Sequence, residues 1–200
     1  MKWFGPSCKR TGMHVSRRPR LLVVSARTVD YWRHNELAAD PEALHWLGWD
    51  VSLTAPAEDR PLIARQPIVW EEWAMPPTHD RLVFTAIDRS TLALAGSLGI
   101  RREGAEYHVG GLMHKDFRGR GLGTEFLGEV MRLAHRHFGL RRVVAGCERD
   151  NAASARWLVK CGFEPADGPE TSLLDNGREV KTLWWQHVDL HSRLRCPLLS

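Results

Sequence analysis

The sequence predicts a single domain of the α/β (α+β) class, built on a mixed sheet with helices packed against it. Three observations support this class. A meander of three strand-like stretches occupies the middle of the chain, two amphipathic stretches closed by glycine follow with one further strand between them, and a hairpin pattern ends the series. A length of 200 residues and a hydrophobic content of 43% are enough for one sizeable core.

The first part of the chain predicts one strand and two helices. Leu21 to Val24 form a short apolar run typical of a strand, and Asp30 can cap a helix over residues 31–39. A second helix is predicted after Asp40-Pro41. Five prolines interrupt residues 50–80, so this stretch predicts short helical pieces and loops.

The middle of the chain predicts three antiparallel strands. Residues 81–88 are rich in β-branched and aromatic side chains and predict a first strand. Residues 91–101 predict a second strand, joined to the first at Asp88-Arg89-Ser90, and a third strand is predicted over residues 106–113.

The last part alternates helices and strands. Apolar residues recur at helical spacing from Phe126 to Phe138, and Gly139 is a natural stop. A strand over 142–147 and a helix over 151–161 follow. The turn sequence Asp175-Asn176-Gly177 then predicts a hairpin between residues 171–174 and 179–185.

Charge divides the chain into three parts. Residues 1–20 carry six basic side chains and no acidic one, and we expect them to form a disordered N-terminal extension, with Met13 as an alternative start. Residues 21–188 are the predicted domain, with 20 basic and 23 acidic side chains, and residues 189–200 form a tail. Because the domain itself is mildly acidic, its charge argues against a nucleic-acid partner.

Location and cofactor class follow from what the sequence contains. It has no apolar run long enough for a membrane span and no signal-like start, which indicates a cytoplasmic protein with no membrane partner. The four cysteines have no C-x-x-C pairing and no metal-ligand spacing, so we interpret them as free thiols and expect no metal (Cys8, Cys147, Cys161 and Cys196). A homodimer is one assembly that we leave open.

The most informative motif is a glycine-rich turn at the start of a helix. Gly119, Gly121 and Gly123 let the backbone approach an anion closely, and the unpaired N–H groups of the helix start attract phosphate. Glu125 follows Gly123-Thr124, so the Lys-Ser/Thr of a Walker motif is absent, and the G-x-G-x-G spacing does not match a dinucleotide fingerprint. A plain tight helix start is the alternative.

Two stretches identify a family by resemblance. Residues 112–125, read as Arg118-x-x-Gly121-x-Gly123 after a strand, resemble the acyl-CoA pyrophosphate loop of the GCN5-related N-acetyltransferase (GNAT) superfamily. Residues 150–164, in which Asn151 opens a helix and Gly162-Phe163 closes it, are similar to a later segment of that family. The resemblance covers about residues 20–188, and the pattern around Asn151 and Ser154 is closest to the ribosomal-protein-alanine N-acetyltransferase type.

This resemblance implies a fold and an activity. The fold would be a mainly antiparallel sheet splayed near its middle, with helices on both faces. The activity would be acetyl transfer from acetyl-CoA to a primary amine by direct attack, the amine being a peptide N-terminus or a small molecule such as an antibiotic. The alternative is a non-catalytic acyl-CoA-binding module.

The resemblance also assigns donor-binding residues. Backbone N–H groups of the glycine loop would hold the pyrophosphate, the strand end would pair with the pantetheine arm, an N–H near Met113 would stabilise the oxyanion, and Asn151 would bond the pantetheine or only cap its helix. The full set is Leu112, Met113, His114, Arg118, Gly119, Arg120, Gly121, Leu122, Gly123, Thr124, Asn151 and Ser154.

Three residues are candidates for proton transfer. An ammonium has no lone pair, so the acceptor needs a base, and His108 is our candidate, with Glu106 on the same strand face in reserve. His108 can equally be an ordinary strand residue. Leu158 stands where many family members carry a tyrosine that protonates the leaving thiolate, so Ser154 is the candidate acid, unless it only caps its helix.

Five tryptophans fall where the family covers its acceptor site. They line an acceptor pocket or pack the helices onto the sheet, and Glu71 and Glu72 beside them would attract a cationic amine or form a solvated edge (Trp32, Trp46, Trp49, Trp70 and Trp73).

Overall fold

The computed structural model describes residues 7–8, 14–25, 41–49 and 80–196. Three α-helices lie within these residues: α1 (Pro41–Leu47), α2 (Leu122–Arg136) and α3 (Ala152–Lys160), and residues Lys115–Phe117 form a 3₁₀ turn. The strands are β1 (Ser7–Cys8), β2 (His14–Arg17), β3 (Leu21–Ser25), β4 (Arg81–Asp88), β5 (Leu94–Glu103), β6 (Glu106–Met113), β7 (Arg142–Glu148), β8 (Glu164–Ala166), β9 (Thr171–Leu173) and β10 (Glu179–Val188).

The described strands form one sheet in the order β1-β2-β3-β4-β5-β6-β7-β10-β8, with β9 attached to β10. Neighbouring strands are antiparallel except β6 and β7, which run parallel and share the single residue pair His108–Val144. A full parallel ladder would hold these strands together along their length. The sheet therefore opens at β6 and β7, and the predicted mixed, mainly antiparallel sheet that splays near its middle is confirmed.

Helices pack on both faces of the sheet, as predicted. The main core lies between the sheet and α2, and it includes Leu158 of α3. On the other face, Ala43 of α1 packs against Leu112 of β6 in a separate small cluster. Because side chains alternate between the faces of a strand, β6 contributes to both layers.

Helix α2 forms because its apolar side chains recur every three or four residues and meet the sheet together. Phe126, Val130 and Ala134 are fully buried. The helix ends before Gly139, whose φ of 76° places it in the left-handed region that glycine favours. The predicted amphipathic helix and its stop are confirmed.

The predicted meander is confirmed with one shifted strand. Strands β4 and β6 occupy the predicted residues 81–88 and 106–113, whereas β5 runs from Leu94 to Glu103 rather than over residues 91–101. The Asp88 carboxylate accepts hydrogen bonds from the backbone N–H groups of Ser90 (3.0 Å) and Thr91 (2.9 Å), which lengthens the turn. The short strand β8 was not predicted.

The prediction that residues 1–20 form a disordered extension is wrong for residues 7–8 and 14–17. Residues 7–8 form strand β1 and residues 14–17 form strand β2, in which Val15 pairs with Val24 of β3. The Ser16 hydroxyl also donates a hydrogen bond of 2.5 Å to the buried carboxylate of Glu129 on α2. Local composition shows the basic charge of this segment but not its partner 113 residues away, so sequence reasoning placed the boundary too late.

Residues 189–196 of the predicted tail pack against the end of α2. The backbone N–H groups of Arg193 and Cys196 donate to the carbonyl oxygens of His135 and His137. Leu194 forms an isolated bridge with Phe138, and the Cys196 side chain is fully buried. The domain thus extends past residue 188.

The other elements of the first part of the chain have two outcomes. The predicted strand from Leu21 and the predicted helix after Asp40-Pro41 are confirmed as β3 and α1. The predicted helix over residues 31–39 and the interrupted stretch 50–79 lie outside the described residues, as do Trp32, Trp70, Trp73, Glu71 and Glu72.

Candidate active site

The site lies where β6 and β7 diverge. Gly111 on β6 has a φ of 143°, and a β-carbon at this position would lie 2.1 Å from the backbone oxygen of Ser97. No other residue can therefore occupy position 111 without moving the β5–β6 backbone. This glycine fixes the local course of β6 at the opening between the two strands.

A cavity of about 530 Å³ occupies this opening. Residues Val109 to Met113 of β6 line one side, and Ala145 to Glu148 of β7 line the other. The glycine loop, the exposed face of α3, α1 and the β9–β10 hairpin complete the walls. Its size and its mixture of apolar walls with a few polar side chains are typical of a small-molecule site.

The glycine loop supplies one end of the cavity. Gly119 and Gly121 have φ values of 75° and 73°, so both depend on the freedom of glycine. Gly121 is the N-cap of α2, and no side chain caps the first N–H groups of the helix. A β-carbon on Gly123 would lie 3.2 Å from the indole nitrogen of Trp157, so this third glycine lets α3 pack closely.

The N–H groups at this helix start are suited to an anion. The first N–H groups of an α-helix have no partner within the helix, and the helix dipole adds partial positive charge there. Because Gly119, Gly121 and Gly123 all line the cavity, these donors face a space that can hold a phosphate group.

The Arg118 side chain joins three elements around the loop. Its Nε donates a hydrogen bond of 2.9 Å to the Met113 carbonyl oxygen, and its Nη1 lies 2.7 Å from a carboxylate oxygen of Glu42 on α1. The side chain thus links the glycine loop to the end of β6 and to the helix that covers the cavity.

The second motif borders the same cavity. Asn151 is the N-cap of α3, and its side-chain oxygen accepts a hydrogen bond of 2.9 Å from the Ser154 N–H. Ser154 and Leu158 are four residues apart, so they lie on one face of α3, and both line the cavity. The two motifs are 27 residues apart in sequence, counted from Thr124 to Asn151, and the sheet brings them together.

Comparison with protein-family profiles matches residues 20–164 to the acetyltransferase (GNAT) domain. The chain belongs to the GNAT acetyltransferase family. It is therefore an acetyl-CoA-dependent N-acetyltransferase, as the glycine motif predicted, and acetyl-CoA is its acyl donor.

Solved structures of other GNAT proteins have the same fold at low sequence identity. RimL, a ribosomal L7/L12 alpha-N-protein acetyltransferase in complex with coenzyme A, is 16% identical with a TM-score of 0.67, covering 89% of this chain and 99% of its own. The ribosomal-protein-S5-alanine acetyltransferase from Vibrio fischeri is 13% identical with a TM-score of 0.63, covering 90% and 98%.

A third structure of this fold acts on a different amine. Spermidine N-acetyltransferase from Vibrio cholerae, in complex with CoA and spermine, is 10% identical with a TM-score of 0.64, covering 86% of this chain and 96% of its own. A search of curated proteins returned no match. The structural likeness shows the fold, and the acceptor has to be argued from the site itself.

The GNAT donor residues expected from the sequence mostly converge on the cavity. Nine of the twelve line it: Leu112, Met113, Arg118, Gly119, Gly121, Gly123, Thr124, Asn151 and Ser154. His114 and Leu122 are buried in the protein, and the exposed Arg120 lies over the ring of Phe117 at 5.7 Å. The donor-binding roles of all twelve residues stay predictions.

Two buried or half-buried thiols, Cys147 in the cavity lining and Cys161 at the end of α3, are held in the protonated form. Burial raises the pKa of Cys147, which lines the cavity, and the neighbouring Trp185 and Ser154 side chains only partly oppose this effect. Burial also raises the pKa of Cys161 to about 11. A thiol attacks as its thiolate, so neither cysteine is activated at neutral pH.

His108 lies beside the cavity lining rather than within it. Its ring packs edge-on against Trp184 at 5.7 Å, and its Nε2 lies 3.8 Å from a carboxylate oxygen of Glu106 and 3.9 Å from one of Glu103. Glu106 also pairs with Arg142. The structure brings the two candidate bases together, but the side of the cavity formed by β6 starts one residue later, at Val109.

Sequence reasoning missed a carboxylate that lines the cavity directly. Glu148 ends β7, and both of its oxygens lie within 3.1 Å of Nη1 of Arg178. Nη2 of Arg178 donates a hydrogen bond of 2.6 Å to the His45 carbonyl oxygen at the end of α1. No sequence spacing reveals this contact, because Arg178 and His45 are 133 residues apart.

The two described tryptophans of the predicted aromatic cluster have different places. Trp46 on α1 lines the cavity, and Trp49 packs against the small cluster of Ala43 and Leu112. One therefore fits the predicted pocket and the other fits the packing alternative.

Two further properties concern other classes of function. None of the helices in the described ranges is long and apolar enough to cross a membrane. In the same part of the chain, no group of three or more histidine, cysteine or acidic side chains is arranged to hold a metal ion.

Proposed function

We propose that this GNAT enzyme transfers acetyl from acetyl-CoA directly to a primary amine while both substrates are bound. The amine is a peptide N-terminus, favoured by the resemblance to ribosomal-protein acetyltransferases, or a small amine such as an antibiotic. The observation that carries the proposal is a single cavity whose walls contain both the glycine loop and two carboxylates, Glu42 and Glu148.

The donor end of the cavity supports the first half of this reaction. The loop N–H groups bind the pyrophosphate, and the exposed backbone of β6 offers hydrogen bonds to the pantetheine arm. An N–H near Met113 stabilises the oxyanion that forms when the amine attacks the thioester carbonyl. Placing both reactants in one cavity also removes much of the entropic cost of their meeting.

Direct transfer is supported by the cysteines. A covalent acyl-enzyme needs an activated nucleophile. Burial raises the pKa of the cavity thiol, Cys147, and the side chains that hydrogen-bond to it, Trp185 and Ser154, are uncharged. The acetyl group therefore passes to the amine without an enzyme-bound intermediate.

The acceptor side of the cavity contains two carboxylates, each paired with an arginine: Glu42 with Arg118 and Glu148 with Arg178. Glu42 and Glu148 both line the cavity, and Trp46 lies on the same helix as Glu42. Carboxylates attract an ammonium ion, which must then lose a proton before it can attack. His108, with Glu106 beside it, is the proposed base, reached through a water molecule because its side chain lies next to the lining.

The leaving thiolate needs a proton from the α3 side. Leu158 cannot donate one, whereas Ser154 lies one turn earlier on the same cavity-lining face. We therefore assign the acid role to Ser154, whose hydroxyl passes a proton to the CoA sulfur as the thioester carbon–sulfur bond breaks and takes up a proton from a water molecule in the same step.

The test combines donor binding with acceptor screening. CoA binding is measured by calorimetry, and acetylation of peptides with free N-termini and of polyamines is followed by mass spectrometry and thiol release. We expect acetylation of at least one amine class, and a kcat reduced roughly 100-fold in Ser154→Ala with little change in the KM for acetyl-CoA, since general acids contribute about 100-fold or more.

Each part of the proposal can fail separately. Binding of CoA without acetylation of any amine would favour the acyl-CoA-binding module. Unchanged turnover in both His108→Ala and Glu106→Ala would overturn the assigned base. Trapping of an acetylated Cys147 during turnover would overturn direct transfer.

A further inference from the structure

The turn between β2 and β3 reaches the glycine loop through one side chain, that of Arg20. Its Nε lies 2.9 Å from Oε2 of Glu125, and its backbone N–H donates to Oε1 of the same carboxylate at 3.0 Å. Its Nη1 donates a hydrogen bond of 2.8 Å to the carbonyl oxygen of Arg120, within the loop. Arg20 therefore holds both the loop and the first turn of α2.

The backbone of Arg20 is itself held in place. Its carbonyl oxygen accepts a hydrogen bond of 2.9 Å from the N–H of Arg89. The guanidinium of Arg89 donates to the carbonyl oxygens of Arg18 and Pro19 in the same turn. Arg89 thus fixes the β2–β3 turn from the β4–β5 side, and the Arg20 side chain extends from this turn to the glycine loop.

A second link anchors the same hairpin to α2. Glu125 and Glu129 lie one turn apart on the helix, and the buried Glu129 accepts a hydrogen bond from Ser16 and lies 3.5 Å from Arg18. The β2–β3 hairpin is therefore fixed against the helix whose start forms the anion site, so Arg20 is positioned relative to the loop by more than its own contacts.

The bond to the Arg120 carbonyl determines where the next N–H points. The peptide unit between Arg120 and Gly121 is planar and trans, so its C=O and its N–H point in opposite directions. Arg20 holds the carbonyl oxygen of Arg120, so the Gly121 N–H points away from the Arg20 guanidinium. Gly121 itself lines the cavity.

We propose that Arg20 is a positioning residue for the acyl donor, which holds the Arg120–Gly121 peptide so that the Gly121 N–H faces the pyrophosphate. This inference rests on the proposed donor site and adds to it a residue about 100 positions before the loop. Its effect is on donor binding rather than on stability. The Arg20 side chain is 50% exposed, and ion pairs at such exposure contribute little to the free energy of unfolding.

A direct electrostatic role would give a different pattern from a positioning role. If Arg20 acted only as a positive charge near the phosphates, removing the negative charge of Glu125 would strengthen CoA binding. If Arg20 positions the loop, Glu125→Gln weakens CoA binding, because Arg20 loses the partner that fixes its guanidinium.

The experiment measures the dissociation constant for CoA in four proteins: wild type, Arg20→Gln, Glu125→Gln and the control Arg17→Gln. Arg17 is an exposed residue of the same hairpin, and its replacement removes the same charge. We expect Arg20→Gln to weaken binding about tenfold, which is about 1.4 kcal/mol, and Glu125→Gln to weaken it several-fold. Arg17→Gln should change it less than twofold.

Further measurements separate this role from a structural one. The unfolding temperature without ligand should be nearly unchanged in Arg20→Gln, and 3′-dephospho-CoA, which keeps the pyrophosphate, should lose the same factor as CoA. Arg20→Lys keeps the charge but not the two-sided contact of the guanidinium, so it should lose part of the affinity. The KM for acetyl-CoA should rise while kcat changes little.

The inference is overturned if Arg20→Gln binds CoA as tightly as wild type, if Glu125→Gln binds it more tightly, or if the loss equals that of Arg17→Gln. In each of these cases the wild type still binds CoA, so the donor site survives. A wild-type protein that does not bind CoA would instead overturn the proposed function.

Discussion

The donor end and the acceptor end of the cavity are constructed in different ways. The donor end is formed by two continuous segments, the glycine loop and the start of α3, and it depends on backbone conformation. The acceptor end is assembled from α1, the end of β7 and the β9–β10 hairpin, which are far apart in sequence and are joined by side chains such as Arg178.

Because of this difference, the two ends should respond differently to amino-acid substitution. A backbone conformation that only glycine adopts has no close substitute, so a substitution there alters the fold of the site. A side-chain link can be removed while the strands and helices it joins keep their own backbone hydrogen bonds. We therefore expect glycine substitutions at the donor end to affect folding as well as binding, and removal of a side-chain link at the acceptor end to affect mainly acceptor binding.

The largest expected effect is at Gly111, where the sheet opens. Replacing Gly111 by Ala places a methyl group 2.1 Å from the Ser97 oxygen at a φ of 143°. We expect the free energy of unfolding to fall by roughly 2–4 kcal/mol, since steric and backbone strain combine. Denaturant unfolding of the purified protein measures this change.

The neighbouring glycine provides the control for this substitution. A β-carbon on Gly110 would have no atom within 4 Å, although Gly110 also lines the cavity. The free energy of unfolding of Gly110→Ala should therefore lie within about 1 kcal/mol of that of wild type. Equal stability of the two variants would show that the bend at Gly111 does not constrain β6 as the structure indicates.

A smaller and more selective effect is expected at the acceptor end. Arg178→Gln removes the link between Glu148 and the His45 carbonyl, so α1 loses a contact that fixes it over the cavity. We expect the KM for the amine to rise about tenfold, roughly 1.4 kcal/mol, while the KM for acetyl-CoA stays within twofold. Steady-state kinetics with each substrate varied in turn measures the two constants.

Lys181, an exposed residue of β10 in the same hairpin, provides the matched control. Lys181→Gln removes one positive charge but leaves the link between Arg178, Glu148 and the His45 carbonyl intact, so both KM values should remain close to those of wild type. A rise in the KM for acetyl-CoA that equals the rise for the amine in Arg178→Gln would contradict the separation of the two ends.

The smallest effect concerns a region away from both ends, at the C-terminal end of α2. Nδ1 of the buried His135 lies 2.5 Å from the Leu140 carbonyl, so it donates, and Nε2 then accepts from Nδ1 of His187 at 2.8 Å. Burial is the main cause of a lowered pKa in both histidines. The hydrogen bond to the Leu140 carbonyl and the Asp189 carboxylate partly raise the pKa of His135, and Arg136 lowers it further. The charge of His135 lowers the pKa of His187 further, while Asp189 and Glu164 partly raise it.

The sign of the pH dependence follows from these lowered pKa values. Below a pH of about 6.5 the unfolded chain binds protons at these positions that the folded protein does not. Stability is therefore complete above that pH and falls as the pH drops from about 6.5 through the lowered folded-state pKa values. Unfolding at a series of pH values measures this loss.

A variant of His187 tests this assignment. His187→Asn keeps an N–H donor near Nε2 of His135 but removes one titrating group, so the decrease in stability between pH 7 and 5 should become smaller. Both KM values at pH 7.5 should be unchanged because the pair lies outside the cavity lining. An unaltered pH dependence of stability would mean that other groups cause the decrease.

Sequence reasoning was most successful where one short segment contains the whole signal. The glycine loop, the helix that follows it and Asn151 at the start of α3 each depend on neighbours within a few residues, and the structure has them where they were expected. It was less successful for β2, whose anchor at Glu129 is a contact 113 residues away.

The sequence by itself determined the α/β class, the glycine loop that marks the acyl-donor site and the family. These features depend on local backbone conformation and on the periodicity of apolar residues, which neighbouring residues dictate. Only the tertiary structure decided that residues 14–17 belong to the sheet, that Glu148 rather than His108 lines the cavity directly, and that Arg20 and Arg178 support its two ends. The contacts of Arg20 with Glu125 and of Arg178 with the His45 carbonyl span more than a hundred residues, and no spacing in the sequence encodes which distant carbonyl or carboxylate a guanidinium will meet.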